Sequence, residues 1–199
     1  MRRALVALLL AVPAALRGQV PAPNVKALGR TIARYEDERV RVVLSYRWTQ
    51  THLKSKWILL DTWISAISKN PIEIDREDVA LDMPDGTRLN LPSERRMTKG
   101  IPDLRRLLAE VDISRDPAAG YFPESQEVER LGFFEIPGEY IVRDRAGIAP
   151  HALVYGDLFF EAPGASFEPG IYTLVIRNKT VDVHLPLALG IEGPLKRVK

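Results

Sequence analysis

The sequence contains no cysteine. That absence removes disulfides, thiolate nucleophiles and a lipidated cysteine from consideration, so stability must come from the core alone. In an exported chain this fits a bacterial envelope or secreted protein better than a small extracellular eukaryotic module. Histidine is scarce too. His52, His151 and His184 are far apart and lack the i, i+4 spacing of a helical zinc motif. Only Met83 and Met97 remain as soft ligands after the N-terminal region, which argues against copper handling. No Gly-x-Ser-x-Gly elbow, P-loop or dinucleotide fingerprint occurs. No catalytic residue, metal or other cofactor is therefore assigned.

Long apolar runs are also missing. The longest, Ala4 to Leu16, is broken by Pro13 and falls short of the roughly 20 residues a bilayer span requires. With Arg2 and Arg3 before it, residues 1–20 read as a secretory signal, with an N-terminal anchor as the alternative because the small-residue cleavage rule is met imperfectly. The expected location is periplasmic or extracellular, with no membrane span in the mature chain. The formal charge of +2 loses Arg2, Arg3 and Arg17 on such processing and becomes −1. A near-neutral chain gives no electrostatic reason to expect nucleic acid.

What is present is β pattern. Hydrophobic residues make up 46% of the chain, ample for a core, and a charged share of 27% argues against general disorder. Trp57 to Ile67 predicts a central strand: Ile58, Leu60, Thr62, Ile64 and Ala66 share one face, and Trp57, Leu59, Trp63 and Ile67 lie on the other, interrupted by Asp61 and Ser65. Val79 to Met83, the turn Pro84-Asp85-Gly86-Thr87, and Arg88 to Leu91 predict a hairpin. Ile171 to Ile176 and Thr180 to Leu185 predict a second around Asn178-Lys179. Val40 to Trp48 alternates as a strand with arginines on a wet face. Glu139 to Arg143, Ala152 to Tyr155 and Asp157 to Glu161 are further strands, with Gly156 a bulge between the last two. One helix is expected from Pro102 to Val111, where Leu104, Leu107, Leu108 and Val111 fall at helical spacing. Glu124 to Leu131 is either a short helix or a charged loop.

The order of a Trp-bearing strand, a Pro-Asp-Gly hairpin, then Gly156 to Pro163 and a closing Tyr172-to-Leu185 hairpin resembles the immunoglobulin-like (telokin-like) domains of bacterial exported proteins, over roughly residues 38–92 and 150–187. The resemblance implies a mostly β fold, an antiparallel immunoglobulin-like sandwich with one short helical insertion, and no site residues. The domain reading is a signal or anchor at 1–20, a leader at 21–37 in which Thr31 to Tyr35 suggest a short strand, the sandwich at 38–190 with the insertion near 95–135, and a basic tail at 191–199.

Export, a sandwich pattern and no catalytic constellation together predict a non-enzymatic module that binds a protein or an envelope polymer. The expected contact surfaces are an open sheet face bearing Arg41, Val43 and Arg47, and the irregular aromatic segment with Tyr121 and Phe122. Two rivals remain: a structural accessory domain of a larger assembly, and an envelope-polymer hydrolase built on Asp61 or on the acidic stretch Glu73, Asp75, Glu77, Asp78, Asp82 and Asp85. Asp61 draws attention because a carboxylate inside an apolar strand is costly unless it is paired or exposed. The bland expectation for it is a rim position or a salt bridge to a strand arginine, and for the acidic stretch a solvated loop rather than a calcium site.

Overall fold

The computed structural model describes residues 24–113, 115–122, 127–150 and 152–191. The expected signal, most of the basic tail and His151 lie outside the described residues. The chain is mostly β. A six-stranded sheet runs in the order β1 (Val25–Ala27), β2 (Ile32–Glu36), β3 (Val40–Ser45), β4 (Trp57–Ala66), β10 (Ala152–Glu161), β8 (Glu127–Arg130). A four-stranded sheet is ordered β12 (Asp182–Leu189), β11 (Gly170–Arg177), β6 (Val79–Asp82), β7 (Arg88–Asn90), and β5 (Ile72–Asp75) pairs with β9 (Arg145–Ile148). All pairings between these strands are antiparallel except β8 with β10. Two α-helices accompany the described strands, α1 (Arg47–Thr51) and α2 (Glu94–Asp112).

The central strand is β4, as its two apolar faces predict. Ile58, Leu60 and Ile64 join Leu174, Ile176, Val183 and Leu185 of the four-stranded sheet in one buried cluster, so the inner faces of the two larger sheets share a core. The opposite, outer face of β4 is covered in two patches. Trp57 and Leu59 pack with Phe159 beneath Met97, Leu104, Leu107 and Val111 of α2. Farther along, Val43 and Leu153 pack with Ile32 and Phe122.

Both predicted hairpins form. In the first, Asp82 pairs with Arg88, Met83 N–H donates to Thr87 O at 2.8 Å, and Gly86 takes φ 87°, the left-handed region a side chain resists. In the second, Arg177 pairs with Asp182.

Several expectations are corrected. The segment read as leader contributes β1 to the large sheet in addition to the strand expected near Thr31 to Tyr35, which is β2. Helix α2 begins two turns earlier than its apolar spacing indicated, after an N-cap at Ser93 whose Oγ accepts from Arg96 N–H at 3.4 Å. Gly100 and Pro102 hide that first half in the sequence, although Gly100 serves packing: a Cβ there would lie 2.9 Å from Cζ2 of Trp57. Gly156 is no bulge, because β10 pairs continuously with β4 through Gly156 and Thr62, and the missing Cβ admits Leu131, which would otherwise stand at 2.7 Å. Glu127 to Arg130 is a strand, while Glu139 to Arg143 is not.

Candidate functional site

The outer face of the large sheet carries a ladder of paired side chains. Leu59 pairs with Phe159, Asp61 with Asp157, Trp63 with Tyr155 and Ser65 with Leu153. On the flanks, Ser45 aligns with Asp61, Val43 with Trp63, and Arg130 of β8 with Tyr155. A polar rung thus lies beside an aromatic rung, in the gap between the α2 patch and the Phe122 patch.

The polar rung is closed by Arg115, from the segment after α2. It donates through Nη1 and Nη2 to both oxygens of Asp157, at 2.8 and 2.7 Å, and through Nε to Asp112 at 2.7 Å. Asp61 Oδ1 lies 3.3 Å from Nη1, which also donates to Asp157, and accepts no hydrogen bond among the described residues. Asp61 is 4% exposed. Burial, and then the charge of Asp157, raise its pKa to about 7 against the opposing pull of Arg115. The partner of Asp61 is therefore a guanidinium from beyond the helix rather than a strand arginine. Asp116 completes the group by accepting from Ser45 Oγ at 2.7 Å and from Arg47 at 3.0 Å.

The aromatic rung opens into a cleft of about 470 Å³. Trp63 and Tyr155 stack with centroids 4.8 Å apart. The opposite wall is the turn carrying Phe133, Phe134 and Glu135. Glu135 is only 8% exposed, and burial raises its pKa above the ordinary glutamate range. It pairs with Arg130, at 3.4 Å. Arg76 holds this wall in place from beneath: Nη1 donates to Pro92 O at 3.0 Å, Nη2 to Phe133 O, and Nε to Asp144 at 3.1 Å. Asp157 borders the cleft from the polar rung, whereas Asp61 lies below Arg115, at a void of only about 10 Å³.

The five residues expected to form contact surfaces behave differently. Val43 is fully buried and Phe122 is 7% exposed, in the same apolar patch. Tyr121 is half-buried against that patch. The guanidinium of Arg41 is committed to Glu36 at 2.8 and 3.1 Å and lies 5.9 Å from the Phe122 ring. Arg47 alone stays well exposed, on α1 rather than on a strand, and pairs with Asp116. The presumed open face and the presumed recognition loop therefore cover one another. The acidic stretch is dispersed into separate contacts: Asp75 and Glu73 with Arg145, Asp82 with Arg88, and Asp78 with Asn178. Among the described residues no three metal-ligating side chains converge.

Arg115, Arg130, Glu135 and Asp157 carry no local motif. The only advance signal was Asp61 itself, since an acid in an apolar strand requires a cation somewhere. Comparison with family models, with curated proteins and with solved structures finds no match for this chain.

Proposed function

We propose that the chain is an exported, non-enzymatic binding module with an immunoglobulin-like sandwich fold, and that it takes a protein or polymer of the cell envelope into the Trp63–Tyr155 cleft. Support for the sandwich is the core shared by the two larger sheets. Support for export is the basic and then apolar pattern of residues 1–20. The observation that carries the reading is the stacked Trp63–Tyr155 pair bordering a 470 Å³ cleft beside a buried glutamate, an aromatic face set among charged groups that suits recognition.

The hydrolase reading keeps one supporting observation, the presence of Glu135 and Asp157 in the same cleft. Binding is favoured over it because both Asp157 oxygens accept from Arg115 and Glu135 is paired with Arg130, so neither of these two carboxylates is free for nucleophilic or base chemistry. The test is a titration of the labelled chain with envelope-derived peptide and glycan fractions, following the indole N–H signals by NMR. The binding reading expects a fraction that shifts Trp63 and leaves Trp57 still, without altering the fraction's mass profile. Cleavage products that disappear in Glu135→Gln would replace it with the hydrolase. No shift of Trp63 with any fraction, and no cleavage, would overturn the use of this cleft.

A further inference from the structure

The cleft already contains a cation of its own. The guanidinium carbon of Arg130 lies 3.9 Å from the centroid of the Tyr140 ring and 5.9 Å from that of Tyr155. Its Nη1 lies 3.4 Å from Glu135 Oε2. The two halves of this contact are held unequally. The Glu135 side chain is 8% exposed and sits on the wall that Arg76 anchors, whereas the Arg130 side chain is 46% exposed and projects from an edge strand of four residues. The acid and the Tyr155 ring, stacked on Trp63, form the fixed part of this contact, the Tyr140 ring is 53% exposed at its rim, and the arginine is the part free to leave.

Charge points the same way. The cleft is lined by the carboxylates of Asp112, Glu135, Glu139 and Asp157 against the guanidiniums of Arg115 and Arg130. Arg115 donates to Asp157 and Asp112 and faces Asp61, so its charge is already met by three carboxylates. Once Arg130 swings out to water, the lining is short of positive charge and what remains is the Tyr155 face and one buried carboxylate, with the exposed Tyr140 ring beside the cleft. A guanidinium suits that setting better than an ammonium. It is planar, weakly hydrated, stacks on aromatic faces and forks onto a carboxylate, while an ammonium is a strongly hydrated point charge.

We propose that Tyr140, Tyr155 and Glu135 form a recognition site for an arginine side chain of an external peptide, and that Arg130 is an internal occupant which the ligand displaces. This rests on the binding reading above and adds the chemistry of the ligand. Because the self-occupied state competes, apparent affinity is reduced by the fraction of molecules in which Arg130 is docked.

The probe is arginine amide, titrated into the full chain and into Arg130→Ala, with lysine amide as the comparison, read by calorimetry and by the Tyr140 and Tyr155 ring signals. Removing the internal arginine is expected to tighten arginine amide binding by about tenfold or more, with lysine amide weaker on the same variant. Adding Glu135→Gln to Arg130→Ala is expected to weaken arginine amide by about tenfold. Arg130→Gln, which keeps a polar chain on β8, serves as a second variant and is expected to tighten binding in the same direction. Folded variants that bind arginine amide no more tightly than the parent chain, or that bind lysine amide equally well, overturn the proposal. If arginine amide fails while an envelope fraction still shifts Trp63, the ligand chemistry is wrong and the binding reading stands. Failure of both removes both.

Discussion

Asp61 and Asp157 stand directly opposite each other across β4 and β10, and Arg115 lies against both. Two acids paired across a sheet repel, and one of them is almost completely buried, so the arrangement depends on the cation or on a proton. Arg115 responds as expected of a trapped cation: its hydrogen bonds to Asp157 hold its own pKa far above the usual arginine value.

Replacing Arg115 with glutamine is therefore expected to destabilise the fold by about 3 kcal/mol, because it leaves a buried acid pair without a counter-charge. Urea denaturation at pH 8 measures this. The loss should shrink at pH 5, where Asp61 holds a proton; an equal loss at both pH values would place the effect in packing instead.

The pH dependence has a definite sign. The folded-state pKa of Asp61, about 7, is above the ordinary aspartate value of 3.8, so the folded chain holds this proton more tightly. Its contribution to stability is complete below the unfolded value and is lost as pH rises through 7. Between pH 5 and 8 the loss is on the order of 2–3 kcal/mol. Asp61→Asn should flatten this part of the profile, being more stable than the parent at pH 8 and close to it at pH 5. Parallel profiles for the two chains would show that Asp61 does not titrate in this range.

Gly156 admits Leu131 to the middle of β10, and Leu131 is 1% exposed with its Cβ as the atom in the way. A Cβ is tied to the backbone and cannot rotate aside, so Gly156→Ala is expected to cost about 1–3 kcal/mol. Gly147, on β9, has nothing within 4 Å of the equivalent position. Gly147→Ala should thus change the denaturation midpoint little, and a matched effect at both positions would refute the close-approach argument.

Arg76 links the hairpin region to the cleft wall through Pro92 O, Phe133 O and Asp144, and its guanidinium carbon lies 5.7 Å from the Phe133 ring. Arg76→Met keeps much of the volume but strands buried carbonyls. A loss of about 2–3 kcal/mol is expected. Hydrogen exchange should quicken first between residues 132 and 144, and uniform quickening would mean that the arginine supports the whole core and not the wall in particular.

The strand content was legible wherever one residue sufficed to set a side chain's face. Alternation placed Ile58, Leu60 and Ile64 in the core, and Pro84-Asp85-Gly86 set its turn, because both depend on neighbours within a few residues. Asp61 was recognisable as a residue in need of a partner. Its partner was not, because Arg115 lies 54 positions away and Asp157 another 42 beyond that. The wet arginine face was misread for a related reason. Alternation separates the two sides of a strand but does not say what covers each, and here the Phe122 segment folds back over Val43. Local pattern therefore determined the long core strands and the two hairpin turns, though not the short strands such as Glu127–Arg130. Tertiary structure alone decided which polar side chains meet, because charge pairing and cleft formation depend on strand order and on the return path of the chain after α2, neither of which is written in any short stretch of residues.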